Sequence, residues 1–226
     1  MNIIKVKQNF DDVLRAVDGR ALVVAATKTV PKHITDKLSG IGVTDVGENR
    51  VQEFTDKYSA ESGLNWHFIG QLQSNKVKYI IGKTVLIHSL DRLSLASELQ
   101  RQAGNLGIKV KALIELNIAG EEGKGGVDKG ELYSFANELK KFPNIETAGI
   151  MSVPPHGVEI EELKGYYGEL LSLYNGLRAK LPTVRFLSAG MSEDYELALD
   201  FGANIVRIGR GIFGDRSGAW EDLPIG

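Results

Sequence analysis

Lys28 is the residue whose position in this sequence most favours nucleophilic chemistry. It ends the stretch ALVVAATK at 21–28, whose other residues are Ala, Leu, Val and Thr. An ammonium held among apolar side chains loses hydration, and the free amine that this favours is a nucleophile toward carbonyl carbon. A lysine at such a position can instead extend its ammonium into water and remain unreactive. From position alone the unreactive lysine is the commoner case.

Glycine-containing segments near the C-terminal end could hold a phosphate. GRGIFG at 209–214 matches the G-x-G-x-x-G string, but a dinucleotide motif needs an acidic residue about 20 positions later, and only residues 215–226 follow. SAGMS at 188–192 and IGR at 208–210 instead offer backbone N–H groups and glycines that allow a phosphate to approach closely. Alternatively, the glycines only permit tight turns and Ser192 caps a helix. Both interpretations stay open, because Ser192 can serve in both.

Metal chemistry and paired carboxylates find less support. The chain contains no cysteine, and its histidines show no metal-ligand spacing; they are His33, His67, His88 and His156. His67 lies between Trp66 and Phe68, as expected of a wall residue. Glu48 could form a glycosidase carboxylate pair with Glu115 or Asp91. Glu115 lies two residues short of the end of its predicted strand, however, which places this pair poorly.

The elements that must position these residues are short apolar β-rich runs, which alternate with longer amphipathic stretches. The runs are too short and too β-branched for core helices, and several are apolar on both faces, as buried parallel strands are. We predict strands at 21–28, 43–48, 65–70, 85–90, 111–118, 145–153, 184–191 and 204–208. The spacing of apolar residues predicts helices at 4–17, 93–104 and 159–181.

Eight strands alternating with helices in a chain of 226 residues predict a single-domain (β/α)8 TIM barrel, an α/β fold. The domain is expected to span 1–226, with its core at about 21–216. The extra N-terminal helix is expected to close the bottom of the barrel or to pack outside it. An open doubly wound sheet with one strand miscounted is the alternative.

A barrel of this kind builds its active site at the C-terminal ends of the strands. This rule selects a short set of residues, which are Lys28, Glu48, Asn49, Gln71, His88, Ser89, Asn117, Met151, Ser152, 188–192 and 207–211.

Charge and composition exclude several classes of partner. The chain carries 27 basic and 29 acidic residues, a formal net charge of -2, and no basic block that would indicate nucleic-acid binding. The N-terminal sequence lacks the apolar core and cleavage site of a signal peptide. No apolar run reaches the roughly 20 residues needed to cross a bilayer. A soluble cytoplasmic protein without metal or membrane association is therefore expected.

Several segments together resemble the pyridoxal phosphate homeostasis family, whose members are related to the barrel domain of alanine racemases. They are ALVVAATKTVP from residue 21, VGENRVQE at 46–53, WHFIGQLQSNK at 66–76, HSLD at 88–91, GIMSVP at 149–154 and LSAGMSEDYELALDFGANIVRIGRGIFGDR at 187–216. The segments at 66–76 and 187–216 are long enough to be highly specific. The resemblance extends over almost the whole chain and implies an alanine-racemase N-terminal-domain-like barrel.

This resemblance implies that pyridoxal 5′-phosphate (PLP) forms a Schiff base with Lys28. It implies phosphate contacts from Ser188, with Ser192 nearby, and from the backbone of Gly209 and Arg210. It implies that Arg207 faces the pyridine nitrogen, and it assigns the asparagine of the G-E-N motif to Asn49.

Some positions depart from the family pattern. Val30 stands where a second lysine is frequent, and Ala189 replaces a usual methionine. Arg210 stands where a small hydroxyl residue is common, which leaves only its backbone N–H for phosphate.

The resemblance also implies a carrier of PLP that supplies apo-enzymes and acts as a monomer. A PLP-dependent amino-acid racemase or other PLP enzyme is the second hypothesis, and a phosphate-binding barrel without covalent cofactor is the third. Racemisation needs a second acid–base group opposite the lysine. In the racemases a tyrosine from an additional C-terminal domain supplies it, whereas residues 215–226 contain no tyrosine. Negligible racemisation is therefore expected.

Overall fold

The computed structural model of the chain describes residues 1–215 and 220. Eight parallel strands form its centre, and the sheet closes because the fourth strand in the chain pairs with the fifth. The barrel strands are β1 (Leu22–Ala26), β2 (Asp45–Glu48), β3 (Asn65–Phe68), β4 (Leu86–Leu90), β5 (Val110–Asn117), β7 (Ile145–Ser152), β8 (Phe186–Ser188) and β9 (Ile205–Ile208). The predicted barrel is confirmed and the open sheet is wrong. Arg216, the predicted end of the core, lies outside the described residues.

One short strand was not predicted. β6 (Val127–Asp128) pairs only with the end of β5, at Leu116 and Asn117. Two residues are too few to produce a recognisable alternation of apolar and polar side chains.

The interior of the barrel has an apolar layer with polar side chains around it. Val24, Leu86, Leu113, Ala148, Met151 and Ile205 form a buried cluster separate from the larger core between sheet and helices. Asp45, His67, His88, Ser188 and Arg207 are also buried. The interior is thus able to hold a polar network as well as a packed core.

Helices follow most strands and bury one face each against the barrel. The helices are α1 (Ile3–Val17), α2 (Lys32–Thr35), α3 (Val51–Lys57), α4 (Val77–Ile80), α5 (Leu93–Leu106), α6 (Leu132–Leu139), α7 (Ile160–Lys180), α8 (Tyr195–Asp200) and α9 (Arg210–Phe213). The predicted helices correspond to α1, α5 and α7. In α5, Leu95, Ala96, Leu99 and Ala103 are buried, whereas Leu93 at its start is exposed. No helix within the described ranges is long and apolar enough to cross a membrane.

Helix α1 packs outside the barrel, against α8 and α9. Asn2 caps its N-terminus by accepting a hydrogen bond from the N–H of Lys5. The buried stripe has the spacing of one helical face and consists of Ile3, Val6, Phe10, Val13 and Val17. Asn9 Nδ2 also donates to the carbonyl of Ile212 at 2.9 Å. Because α9 follows the last barrel strand, α1 supports the end of the barrel at which the candidate site lies.

Candidate functional site

A cleft of about 500 Å³ opens at the C-terminal ends of β1, β2, β8 and β9. Six of the seven residues predicted for the site line it: Lys28, Asn49, Ser192, Arg207, Gly209 and Arg210. They come from four strand ends that lie far apart in the sequence. Ser188 is not among the lining residues.

Lys28 reaches this cleft from the turn that follows β1. It is exposed, so the loss of hydration expected from the apolar stretch before it is not found. The reason is that the apolar side chains belong to β1, which ends at Ala26, two residues before the lysine. Its amine has no hydrogen-bond or ion-pair partner in the part of the chain that the structure describes. An accessible, unpaired amine at the wall of a cleft is able to react with a bound carbonyl compound.

The loops after β8 and β9 are joined through Ser192. Its Oγ accepts a hydrogen bond from the N–H of Gly211 at 3.0 Å, which leaves the hydroxyl proton for another acceptor. Ser192 is not the N-cap of either neighbouring helix, since Asp194 precedes α8 and Gly209 precedes α9. Its hydroxyl instead accepts from an N–H in the first turn of α9 while it also lines the cleft.

The loop after β8 depends on Gly190. Its φ of +90° lies in the left-handed region, and a Cβ there would lie 2.7 Å from Ala198 Cβ. Asp194 accepts a hydrogen bond from the N–H of Met191 at 2.7 Å and so closes the turn. The tight approach of this loop to α8 brings Met191 and Ser192 to the wall of the cleft.

Arg207 lies at the base of the cleft and is only 5% exposed. Its Nη1 donates to Ser188 Oγ at 2.6 Å, and its Nη2 donates to the carbonyl of Ser152 at 3.0 Å. Burial lowers the pKa of Arg207 from its ordinary value, while Tyr167, Glu115 and Asp194 act in the opposite direction. A guanidinium fixed in this way can present its remaining N–H groups to a ligand, and it can only donate.

Ser188 lies inside the barrel, below Arg207, and begins a buried chain of hydrogen bonds. His88 Nδ1 lies 3.0 Å from Ser188 Oγ, and His88 Nε2 lies 3.0 Å from His67 Nδ1. His67 Nε2 lies 3.0 Å from Asp45 Oδ1. The structure therefore does not bring the Ser188 side chain to the predicted phosphate position.

The direction of donation along this series of hydrogen bonds follows from the groups at its two ends, Asp45 and Arg207. Burial acts to raise the pKa of Asp45, but hydrogen bonds from His67 and Thr44 hold this pKa below its usual value. The ionised carboxylate therefore accepts a hydrogen bond from His67. Burial, together with His67 and Arg207, lowers the pKa of His88 well below its usual value. A neutral His88 can donate from Nε2 to His67 and accept the hydroxyl proton of Ser188 at Nδ1. Ser188 in turn accepts from Arg207, so every group in the chain is satisfied.

Glu115 is the remaining acidic group beside this network. Burial and the charge of Asp91 raise its pKa to about 7, although Arg207 and Lys124 act to lower it. Its Oε2 is buried and has no hydrogen-bond partner among the described residues. Glu115 therefore changes charge near neutral pH, next to the cation at the base of the cleft.

The carboxylate pair considered for glycoside hydrolysis is not formed. Glu48 faces α3, where its Oε1 accepts from Lys57 Nζ at 2.8 Å and from Thr27 Oγ1 at 2.6 Å. Glu115 instead lies beside Asp91 and Arg207. Glu48 and Glu115 thus point into different environments and cannot act on one bond. Within the described residues, no group of histidine and carboxylate side chains could hold a metal ion.

A second cleft of about 580 Å³ adjoins the first one at Asn49. Its charged lining residues, Arg50 and Lys76, are basic, and Gln52, Gln71 and Gln73 add amide groups. Neither Lys28 nor Arg207 lines it. The smaller cleft therefore remains the candidate reaction site, although it is not the larger cavity.

The lining of the Lys28 cleft fits a ligand with three distinct groups. The unpaired Lys28 side chain suits an aldehyde, the buried guanidinium suits a hydrogen-bond acceptor such as an aromatic nitrogen, and Ser192 with the Gly209 loop suits a phosphate. PLP carries these three groups, so the residues present fit it.

The family model described as "Alanine racemase, N-terminal domain" matches residues 2–217. The alanine racemase of Corynebacterium glutamicum shares the fold, with a TM-score of 0.74 at 15% identity over 97% of this chain and 63% of that one. Fold and site together define a barrel of the alanine racemase N-terminal type.

More similar relatives narrow the assignment. The pyridoxal phosphate homeostasis protein of Aquifex aeolicus is 44% identical over 199 residues, which is 87% of each chain. That of Pseudomonas aeruginosa is 36% identical over 222 residues, which is 95% of this chain and 94% of the relative. The chain belongs to the pyridoxal phosphate homeostasis protein family. PipY of Synechococcus elongatus, solved with PLP bound, has a TM-score of 0.80 and 28% identity over 92% of this chain and 100% of its own.

Sequence reasoning missed several lining residues. Thr29 and His156 also line the cleft, and Glu193 pairs there with Arg210 at 2.5 Å. Thr29 directly follows the lysine and could have been found by that position. His156 lies in the loop after β7, where no spacing or neighbouring residue distinguishes it.

Proposed function

We propose that this protein binds PLP as a Schiff base on Lys28 and holds the cofactor for delivery to PLP-dependent apo-enzymes. The observation that carries the proposal is the unpaired Lys28 amine in the same cleft as the buried guanidinium of Arg207 and the Ser192 hydroxyl. The names of the relatives support a role in PLP homeostasis, and the PLP-bound PipY structure supports binding by this fold.

In this proposal each part of the cleft has a separate task. The Lys28 nitrogen attacks the aldehyde carbon of PLP; a C=N bond forms, and the aldehyde oxygen leaves as water. The Ser192 hydroxyl and the backbone N–H groups of Gly209 and Arg210 hold the phosphate, because a bound dianion needs several donors. Arg207 donates to the pyridine nitrogen.

The donor character of Arg207 argues against reactions that need a protonated pyridine ring. A guanidinium keeps its protons and cannot accept one, so it leaves the pyridine nitrogen unprotonated. A bound PLP supplies its aldehyde for storage, but its unprotonated ring stabilises a carbanion poorly.

The positions of the tyrosines also support a carrier. No tyrosine within the described residues lines the Lys28 cleft. Tyr167 comes near the loop after β8, but its hydroxyl donates to Asp194 Oδ2 at 2.5 Å. Burial, followed by the charge of Asp194 and this hydrogen bond, raises the pKa of Tyr167. It is therefore poorly suited to serve as the second acid–base group that racemisation requires.

The Schiff base is tested by borohydride reduction of the purified protein after addition of PLP, followed by peptide mass mapping. The pyridoxyl mass is expected on the peptide that contains Lys28. Lys28→Ala should lose this label and the associated visible absorbance while it remains folded. Lys32→Ala is the matched control, because Lys32 follows in the next helix and is paired with Asp36 at 2.6 Å. A label on Lys32 or Lys124 in the natural protein would overturn the assignment.

The carrier role has its own test. PLP-loaded protein is mixed with a PLP-dependent apo-enzyme, and the recovery of that enzyme's activity is followed. The same preparation is incubated with L- and D-alanine while their chirality is monitored. Reactivation without racemisation is expected. Racemisation at enzyme-like turnover that disappears in Lys28→Ala would replace the carrier with a racemase.

We further propose a monomer in the cytoplasm. One barrel supplies all the lining residues of the cleft named above, so a partner subunit is not needed to complete it. Sedimentation of the PLP-loaded protein tests the first point and cell fractionation tests the second. A dimer, or recovery in an extracellular fraction, would contradict the respective proposal.

A further inference from the structure

Three charged side chains lie directly beneath the turn that carries Lys28. Glu48 ends β2, and Glu53 and Lys57 lie one helical turn apart on α3. The side chains of Glu48 and Lys57 are 0% and 7% exposed. Charges removed from water in this way need close partners, and their partners include the main chain of the Lys28 turn.

Lys57 connects this cluster to the residue before Lys28. Its Nζ donates to the carbonyl of Thr27 at 2.8 Å, to Glu48 Oε1 at 2.8 Å and to Glu53 Oε2 at 3.0 Å. An ammonium has three N–H groups, and all three are used here. The carbonyl of Thr27 is therefore fixed by a buried cation.

Glu53 connects the cluster to the residue after Lys28. Its Oε2 accepts a hydrogen bond from the N–H of Thr29 at 2.6 Å. Thr29 has a φ of +63°, in the left-handed region that β-branched residues strongly disfavour. Although burial acts to raise it, hydrogen bonds from Thr29 and Lys57 lower the pKa of Glu53, so the acceptor is ionised at neutral pH. A charged acceptor at this N–H offsets the strain of the left-handed turn.

We infer that Glu53 and Lys57 are positioning residues that fix the main chain on both sides of Lys28 and thereby aim its amine into the cleft. Neither residue lines the cleft, so neither touches the ligand. The inference rests on Lys28 being the cofactor lysine. The left-handed φ of Thr29 and the charge cluster then act together to set the direction of the Lys28 side chain, which has no other restraint within the described residues.

The experiment compares four variants with the natural protein. Glu53→Ala removes the acceptor, and Thr29→Gly removes the side chain that disfavours a positive φ. The double variant combines both. Asp56→Ala is the matched control, since it removes an exposed carboxylate from the same helix.

Two measurements are made on each variant. Hydrogen exchange of the Thr29 amide, without added PLP, reports the contact with Glu53. The rate and extent of borohydride-trapped PLP on Lys28 report the position of the amine. Glu53→Ala should accelerate exchange at Thr29 and lower the apparent PLP association constant by roughly tenfold, the cost of one left-handed residue. The double variant should bind PLP about as well as Thr29→Gly alone, because glycine adopts this φ freely, and Asp56→Ala should change neither readout.

The outcomes separate this inference from the proposed function. If the natural protein gives no adduct on Lys28, the proposed function fails, and this inference fails with it. If it gives the adduct and Glu53→Ala gives it equally well, only the positioning role is overturned. Thr29 also lines the cleft, so Thr29→Gly alone is the reference, and a double variant that binds PLP tenfold more weakly than Thr29→Gly would contradict an action through Thr29. If Glu53→Ala does not fold, Glu53→Gln, which keeps an acceptor oxygen but loses its charge, is measured with and without Thr29→Gly; a smaller loss of PLP association that Thr29→Gly removes is then expected, and no loss would overturn the positioning role.

Discussion

The guanidinium of Arg207 donates a hydrogen bond to Ser188 Oγ at 2.6 Å inside the barrel. These residues lie on the adjacent strands β8 and β9, and both are buried. The contact joins the base of the cleft to the chain that runs through His88 and His67 to Asp45. Ser188 therefore supports the arginine from below, while Ser192 faces the cleft from the next loop.

This arrangement gives the two serines different roles and predicts different effects on replacement. Ser188→Ala leaves buried donors and acceptors of Arg207 and His88 unsatisfied, so it should lower the free energy of unfolding by about 1–3 kcal/mol. Ser192→Ala removes a partly exposed contact and should change stability much less. Denaturant unfolding of both variants measures the difference. Equal stability of Ser188→Ala and the natural protein would contradict the role of Ser188 in the buried series of hydrogen bonds.

Ligand binding by the same two variants provides an independent check. Ser192→Ala should weaken binding of PLP but not of pyridoxal, which lacks the phosphate. The expected loss is about 1–3 kcal/mol for a hydrogen bond to a charged group. Ser188→Ala should affect both ligands alike, because it acts through Arg207. The opposite pattern would restore Ser188 as the phosphate residue that family resemblance implied.

The buried series of hydrogen bonds also predicts which ring nitrogens of its two histidines carry a proton. His67 and His88 should each carry their proton on Nε2, with Nδ1 as the acceptor, because Asp45 ends the chain as an ionised acceptor. Nitrogen-15 NMR of the imidazole rings distinguishes the two nitrogens directly. His88 should stay neutral on acidification to pH 6, since burial lowers its pKa well below the usual value. A proton on His88 Nδ1 would reverse the proposed direction of donation.

Replacement of Arg207 tests the contact with the pyridine nitrogen. Arg207→Glu substitutes an acceptor for a donor, so it should favour protonation of that nitrogen and shift the visible absorbance of the PLP-loaded protein. The negative charge should also raise the pKa of Glu115 further, because Arg207 now acts to lower it. Absorbance spectra over a pH series measure the first effect. An unchanged spectrum and PLP affinity would place Arg207 outside the site.

The sequence was sufficient for the barrel and for the neighbourhood of the site. Most barrel strands were recognisable as short apolar runs, and three residues that the strand-end rule selected, Lys28, Arg207 and Gly209, line one cleft. Boundaries were less accurate. The strand predicted at 184–191 is shorter in the structure, where β8 covers only Phe186–Ser188 and the left-handed Gly190 follows it.

Side-chain environments were beyond the sequence for a physical reason. The network from Asp45 to Arg207 joins residues up to 162 positions apart (207 minus 45), and no local spacing indicates that they share one interior. The same limit applies to Ser188, since being at a strand end does not reveal whether a hydroxyl points up to the cleft or inward. Thr29 and Glu53 likewise interact only because the turn after β1 lies against α3 in the fold.

Glu115 predicts how the stability of the protein changes with pH. Its pKa in the folded protein is about 7, against an ordinary value of 4.5. The folded state therefore binds this proton more tightly than the unfolded chain does, and stability declines as pH rises from about 4.5 to 7. Glu115→Gln removes this cost and should raise the free energy of unfolding at pH 8 by up to about 3 kcal/mol, with little gain at pH 4. Denaturant unfolding at both pH values, without added PLP, measures the difference.

Asp91→Asn should give a smaller gain at pH 8, because it removes only the neighbouring charge and leaves the burial of Glu115 unchanged. A Glu115→Gln variant that gains equally at both pH values would show that the carboxyl does not titrate in this range.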